Sequence, residues 1–199
     1  MAKQPRMTLK CWLERAQSEQ ILMQMKDRRV QEGFQEIVSA TARRQVLDWI
    51  EAVALLHMVY GWMPTMLRRT DLERPADRVK LVRLLNEVKA GHLLSSNELA
   101  HVMRFANRSI VGASKLLHIL NPNDYAIWDS RVADVFLWEG ATRATFARIE
   151  RYEEYLSSLR QWAINPCVTK KCELIRRSNK KLAGTSNLRL IELVLFLKS

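Results

Sequence analysis

An all-α fold is predicted for this chain, in two helical lobes that share a cleft and carry a helical hairpin. Chain breakers are scarce: six glycines and five prolines punctuate 199 residues, too few for the closely spaced turns of a many-stranded β fold. Leu, Arg, Ala and Glu, all good helix formers, are abundant. Apolar side chains recur every three to four residues, the period of one face of a helix. With 48% apolar residues the chain can fill a core of ordinary size, and its length suits one domain over 1–199 built as two small lobes.

The elements follow in order. Residues 8–30 read as a helix with Trp12, Leu13, Ile21, Leu22 and Met25 on one side, broken by Gly33. A second helix is expected from about Thr41 to Tyr60, carrying Val46, Trp49, Ile50, Val53, Leu56 and Val59, and ended by Pro64. Glu73-Arg74-Pro75 marks a turn. Ala76 to Lys89 is amphipathic through Val79, Val82, Leu85 and Val88, and Gly91 is placed to cap it. Ser96-Asn97-Glu98 opens a helix that runs to about Asn107. Gly112 permits a tight turn, and Ala113 to Leu120 continues as a helix that Pro122 stops. Asn121 and Asn123 suit the turn, and Asp129 opens the next helix. Residues 142–163 read as one long helix with Phe146, Ile149, Tyr152, Tyr155, Leu156 and Leu159 spaced for burial, then Asn165-Pro166 turns the chain. Residues 170–181 hold six Lys/Arg against one Glu, and the apolar run Leu188–Leu197 is a helix that docks on the core. Repeats, heptads and low-complexity tracts are absent from the sequence.

The formal net charge is +11 and the pI is near 10.0. A polyanionic partner is the first inference, because neutralising phosphates releases counterions and drives binding whatever the base sequence. An anionic membrane surface, or no partner at all, are the competing readings of the same charge. Three cysteines, an odd number, suit a reducing compartment, and Cys167 and Cys172 have no second pair with which to build a zinc site. The N-terminus has no continuous apolar stretch of the signal-peptide kind, and the apolar residues around Val53–Met63 are interrupted by His57 and too few to span a bilayer. A cytoplasmic monomer without metal, cofactor or membrane partner is expected.

The most informative segment runs from Arg108 to Phe136. A glycine turn, a helix, an Asn/Pro turn and a carboxylate at a second helix start place Asp129 one hairpin away from free backbone N–H groups that can hold a phosphate. Gly112, His118-Ile119-Leu120 and Ala126-Ile127-Trp128-Asp129 occur in that order. At these residues the chain resembles the helix-hairpin-helix DNA glycosylases, especially the small 8-oxoguanine type, over about 30 of its 199 residues. The resemblance implies double-stranded DNA containing a modified base as substrate, flipped into a pocket between the lobes. It makes Asp129 the carboxylate that stabilises charge at the sugar C1′ and orients the attacking water. It makes Arg108, Lys115 and Arg131 phosphate contacts, Trp128, Tyr125 or Trp62 stacking platforms for the extruded base, and His118 an aid to its departure.

This sequence departs from the family at three points. Ile110 replaces the first glycine of the hairpin, and the loop before the aspartate is about three residues shorter. Ser114 stands two residues after Gly112, where bifunctional members carry the Schiff-base lysine; Lys115 follows and points about 100° away on an ideal helix. A monofunctional enzyme that uses water is therefore expected, with Lys115 a second candidate nucleophile. Three scattered cysteines cannot supply the four-cysteine iron–sulfur loop of some members.

On the residues alone each feature has a plainer reading. Asp129 before Ser-Arg-Val is a helix N-cap, a role compatible with catalysis because a capping carboxylate is fixed in place. Gly112 reads equally as a packing residue in a continuous helix, Lys115 as a snorkelling lysine, His118 and the aromatics as core, and 170–181 as a solvated surface. The functional alternatives are excision of a damaged base in repair, excision of a hypermodified phage base in antiviral defence, a non-catalytic helical DNA-binding protein, and a helical adaptor whose basic surface meets an acidic protein.

Overall fold

The computed structural model describes residues 7–17, 34–44, 46–61, 63, 65–68, 74–137 and 142–197. Among the described residues it is all-α, with eleven α-helices, one 3₁₀ turn and no strand. The helices are α1 (Leu9–Arg15), α2 (Phe34–Ala42), α3 (Trp49–Gly61), α4 (Pro75–Lys89), α5 (Ser96–Phe105), α6 (Ile110–Leu120), α7 (Ser130–Phe136), α8 (Arg143–Phe146), α9 (Ile149–Ala163), α10 (Pro166–Ser178) and α11 (Asn187–Phe196). No helix among the described residues is long and apolar enough to cross a membrane.

Local chemistry sets most boundaries. Ser95 and Glu98 form a reciprocal capping box at the head of α5. Pro75 and Pro166 occupy first turns of α4 and α10, where a missing N–H costs nothing. Gly91 ends α4 at φ 97°, with Gly91 N–H donating to Val88 O at 3.0 Å and His92 N–H to Glu87 O at 2.8 Å; this is the paired closure that favours a left-handed glycine.

Two expected helices are each divided. The run from Thr41 to Tyr60 is split because the Asn86 carboxamide takes both backbone groups of Leu47, at 2.8 and 2.9 Å. Asp48 and Glu51 then cap each other's backbone N–H at 2.8 and 2.9 Å and start α3. The run 142–163 is split because the Phe146 carbonyl accepts from Trp128 Nε1 at 2.9 Å, and the chain restarts at Ile149. Residues 18–33, Trp62, Pro64 and Glu73, on which parts of the first helix, a stacking candidate and two turns were placed, lie outside the described residues.

Two helices are buried nearly all round, as an all-apolar helix must be. Nine of the eleven residues of α6 and seven of the ten of α11 are buried. Helix α6 packs against α2, α3, α4 and α5, whereas α11 packs against α1, α7, α9 and α10. Helix α5 meets α9, and one continuous apolar core runs through both groups from Trp12 to Leu197. The connection 121–129 between α6 and α7 crosses from one group to the other.

Candidate functional site

The head of α6 is set by an unusual turn. Asn107 and Arg108 both adopt left-handed backbone, at φ 52° and 55°, a conformation asparagine tolerates better than most residues. The Asn107 carboxamide bonds the passing strand of chain, accepting from Arg68 N–H at 2.7 Å and donating to Met66 O at 2.9 Å. Ser109 then caps α6 by accepting from Gly112 N–H at 3.3 Å. The turn expected at Gly112 is therefore made upstream, and Gly112 lies inside the helix. Its role is close packing: a Cβ built there would meet Tyr60 Oη at 2.6 Å and Ala106 Cβ at 3.2 Å.

Residues 125–128 run extended and buried between α6 and α9. Without a sheet, their backbone groups need other partners, and side chains supply them for all four carbonyls and for Trp128 N–H. The Tyr125 carbonyl meets His118 Nδ1, the Ala126 carbonyl accepts from Tyr152 OH at 3.1 Å, and the Ile127 carbonyl from Tyr155 OH at 3.1 Å. The Ser114 hydroxyl accepts from Trp128 N–H at 3.0 Å and lies 3.3 Å from Trp128 O. Tyr125 OH accepts from Leu94 N–H at 2.8 Å and donates to His92 O at 3.0 Å. The segment ends at Asp129, whose Oδ1 accepts from Val132 N–H at 3.0 Å and caps α7.

Next to Asp129 opens a cavity of about 940 Å³, within the range of ligand clefts (roughly 300–1,000 Å³). Its wall includes Arg108, Ser109, Ile110, Val111 and Lys115 from the α6 turn and helix, Asp129, Ser130, Arg131 and Asp134 from α7, and Phe146 and Phe196 from α8 and α11. Lys115 is half-buried, and that burial lowers its amine from the ordinary lysine range, against the charges of Asp129 and Glu192. Arg131 is exposed, with its guanidinium 5.0 Å over the Phe196 ring.

Four of the residues singled out in the sequence, Asp129, Lys115, Arg108 and Arg131, thus share one cavity. The other five do not line it. Ser114 is fully buried and bound to the Trp128 backbone, so the residue facing the Asp129 cavity is Lys115. His118 is fully buried, and burial, aided by the nearby Arg189 charge, lowers its imidazole to about 3. Trp128 and Tyr125 are core side chains with their polar atoms engaged inside the fold, and Gly112 is a spacer. The basic run 170–181 is also elsewhere: Lys170, Arg177 and Lys180 are exposed on or just after α10, and none lines the cavity.

Glu192 escaped the sequence reading. It is 1% exposed in the middle of α11, hydrogen-bonded to Arg189, and burial raises its carboxyl to about 7. The signal was available: one carboxylate stands inside the otherwise apolar run Leu190–Leu197. Tyr152 and Tyr155 were read only as core, and nothing in their spacing reveals that their hydroxyls hold the backbone before Asp129.

Among the described residues, Glu87, His92 and Glu98 bring possible metal-ligand atoms within 4.8 Å of one another. Each already has a partner: Glu87 pairs with Arg83 at 2.7 Å, Glu98 caps α5, and His92 lies 3.4 Å from Glu98. This group is not part of the cavity wall. No family model, curated protein or solved structure matches this chain.

Proposed function

We propose that this protein is a DNA N-glycosylase that flips out a modified base and hydrolyses its N-glycosidic bond. The observation that carries the reading is the Asp129 carboxylate, at the end of a buried segment whose carbonyls are held by side chains, on the wall of a cavity shared with Lys115, Arg108 and Arg131. Pre-organised charge is what a reaction with a developing cation at C1′ requires. In the proposed step water attacks C1′ and gives its proton to Asp129. The C1′–N bond breaks, and the base departs with that electron pair and takes up a proton. Arg108 and Arg131 suit the flanking phosphates, because guanidinium pairs with phosphate oxygens in a fork. The net charge of +11 supports a polyanionic substrate. The damaged base of a repair substrate and the hypermodified base of phage DNA are the two substrate classes, with a cytoplasmic monomer as the working unit.

One observation favours a second reading of the same site. Lys115, with an amine lowered by burial, shares the cavity with Asp129. A neutral amine is a nucleophile, so attack by Lys115 at C1′ would expel the base with the C1′–N electron pair, loss of the amine proton and opening of the C1′–ring oxygen bond would give a Schiff base, and β-elimination of the 3′-phosphate would cut the strand. Base release from a panel of undamaged, oxidised, alkylated, deaminated and phage-modified DNAs, read by mass spectrometry, tests the main proposal. Release that disappears in Asp129→Asn is expected. No release from any of these DNAs, with salt-sensitive binding retained by both proteins, would leave a non-catalytic DNA-binding protein instead. Borohydride trapping of a covalent complex, absent in Lys115→Arg, would establish the second reading.

A further inference from the structure

The cavity leaves the basic run 170–181 unused, and the fold gives that run a fixed place. Helix α10 buries Val168, Cys172 and Ile175 on one face. Lys170 and Arg177, two turns apart, fall on the opposite face, and both are exposed. Lys180 is exposed in the 3₁₀ turn (Lys180–Leu182) that follows. Among the described residues none of these three cations is in a salt bridge, although Glu173 is close in sequence to Lys170 and Arg177. Arg176, by contrast, is used inside the fold: its Nε donates to Thr185 O at 2.9 Å and its Nη2 to Asn187 Oδ1. Asn187 Nδ2 donates to Ala163 O, just before α10, at 2.9 Å. Asn187 thus fixes both ends of α10 to the head of α11. The cavity lies at the other end of α11, at Phe196, about 14 Å along the helix axis.

We propose that the outward face of α10, through Lys170, Arg177 and Lys180, is a second contact for the phosphate backbone of DNA, separate from the cavity. Charge complementarity selects the partner: a rigid row of unpaired cations releases counterions when it meets phosphates. The spacing suits it as well. Lys170 and Arg177 are about 10 Å apart along the helix axis, close to three phosphate steps of about 3.4 Å along one DNA strand. An anionic membrane fits less well, because Leu174 is the only large apolar side chain that α10 exposes for insertion. Such a contact positions the duplex without reading its sequence. It goes beyond the glycosylase reading and needs no chemistry at Asp129.

The test measures binding of the full chain to a fluorescein-labelled, undamaged DNA duplex by anisotropy, from about 50 to 200 mM salt. In Lys170→Gln/Arg177→Gln/Lys180→Gln the slope of log affinity against log salt should fall by about three. Over that salt range the variant should therefore lose about 40-fold less affinity than the parent. The control Lys10→Gln/Arg74→Gln/Lys80→Gln removes the same charge from exposed residues outside α10 and the cavity wall, and its slope should stay at the parent value. An unchanged slope in the α10 variant, or an equal fall in the control, overturns the proposal. If the α10 variant does not fold, Lys170→Gln and Arg177→Gln singly should each lower the slope by about one. Loss of sedimentation with phosphatidylserine vesicles in the α10 variant, at an unchanged DNA slope, would give this face to a membrane instead. A reduced slope with no base released from any DNA keeps the contact and removes the glycosylase reading; base release with an unchanged slope does the reverse.

Discussion

Substituting Gly112→Ala separates a glycine needed for space from one needed for a turn. The backbone at Gly112 is helical, so alanine meets no conformational strain and gains helix propensity, at most about 1 kcal/mol. Space decides against it. The new Cβ would be 2.6 Å from Tyr60 Oη, where ordinary contact begins at 3.4 Å. The phenol belongs to a buried residue of α3, so α3 and α6 must part, at about 1–3 kcal/mol for overpacking. The net expectation is a loss of about 1–2 kcal/mol. Tyr60 supplies the control. Its buried hydroxyl has no hydrogen-bond partner among the described residues, so Tyr60→Phe should be neutral or stabilising by up to about 1 kcal/mol. It also removes the closest clash, leaving Ala106 Cβ and the ring carbon at 3.2 Å, which a small shift relieves. In Tyr60→Phe/Gly112→Ala most of the loss should therefore return, a coupling of about 1–2 kcal/mol. Urea unfolding followed by far-ultraviolet circular dichroism of the four proteins measures it. Additivity within about 0.5 kcal/mol would refute the packing argument, as would a Gly112→Ala protein more stable than the parent.

The remaining predictions address the site. Ser114→Ala removes the acceptor of the buried Trp128 N–H and should cost about 1–3 kcal/mol in the same unfolding assay. For pH, His118 is depressed to about 3, so its contribution is full above its unfolded value and lost as pH falls. Glu192 is raised to about 7, so its contribution is full below its unfolded value and lost as pH rises through 7. Between about pH 6.5 and 4.5 the two trends oppose each other, and native stability should be nearly flat; Glu192→Gln should unmask a fall of about 2 kcal/mol from pH 6.5 to 5. A Glu192→Gln stability curve parallel to that of the native protein would sink this reading of either group. For binding, the logarithm of DNA affinity should fall linearly with the logarithm of salt, and Arg108→Gln or Arg131→Gln should each reduce the slope by about one. An unchanged slope in both variants would place the phosphates elsewhere, the exposed Lys170, Arg177 and Lys180 on or just after α10 being the next candidates.

Residues and spacing alone were enough for the all-α class and for several helix ends. The helix opened at Ser96-Asn97-Glu98, the turns at Pro75 and Asn165-Pro166 and the Gly91 end of α4 act within one or two turns of chain, so residues and spacing suffice to read them. The sequence also determined that a carboxylate stands at the head of α7, because an aspartate three residues before a free N–H is a local signal. Tertiary structure decided the rest. The breaks at Leu47 and Phe146 depend on Asn86 and Trp128, distant in sequence, which take backbone groups that a helix would have used. Whether Ser114 or Lys115 faces Asp129 depends on which side of α6 the 125–128 segment covers; it covers Ser114 and His118, and the lysine is left to the cavity. Glu192 is buried only because α11 packs against α1, α7, α9 and α10. No periodicity encodes such a contact, since the free energy that fixes it comes from two helices burying their faces together.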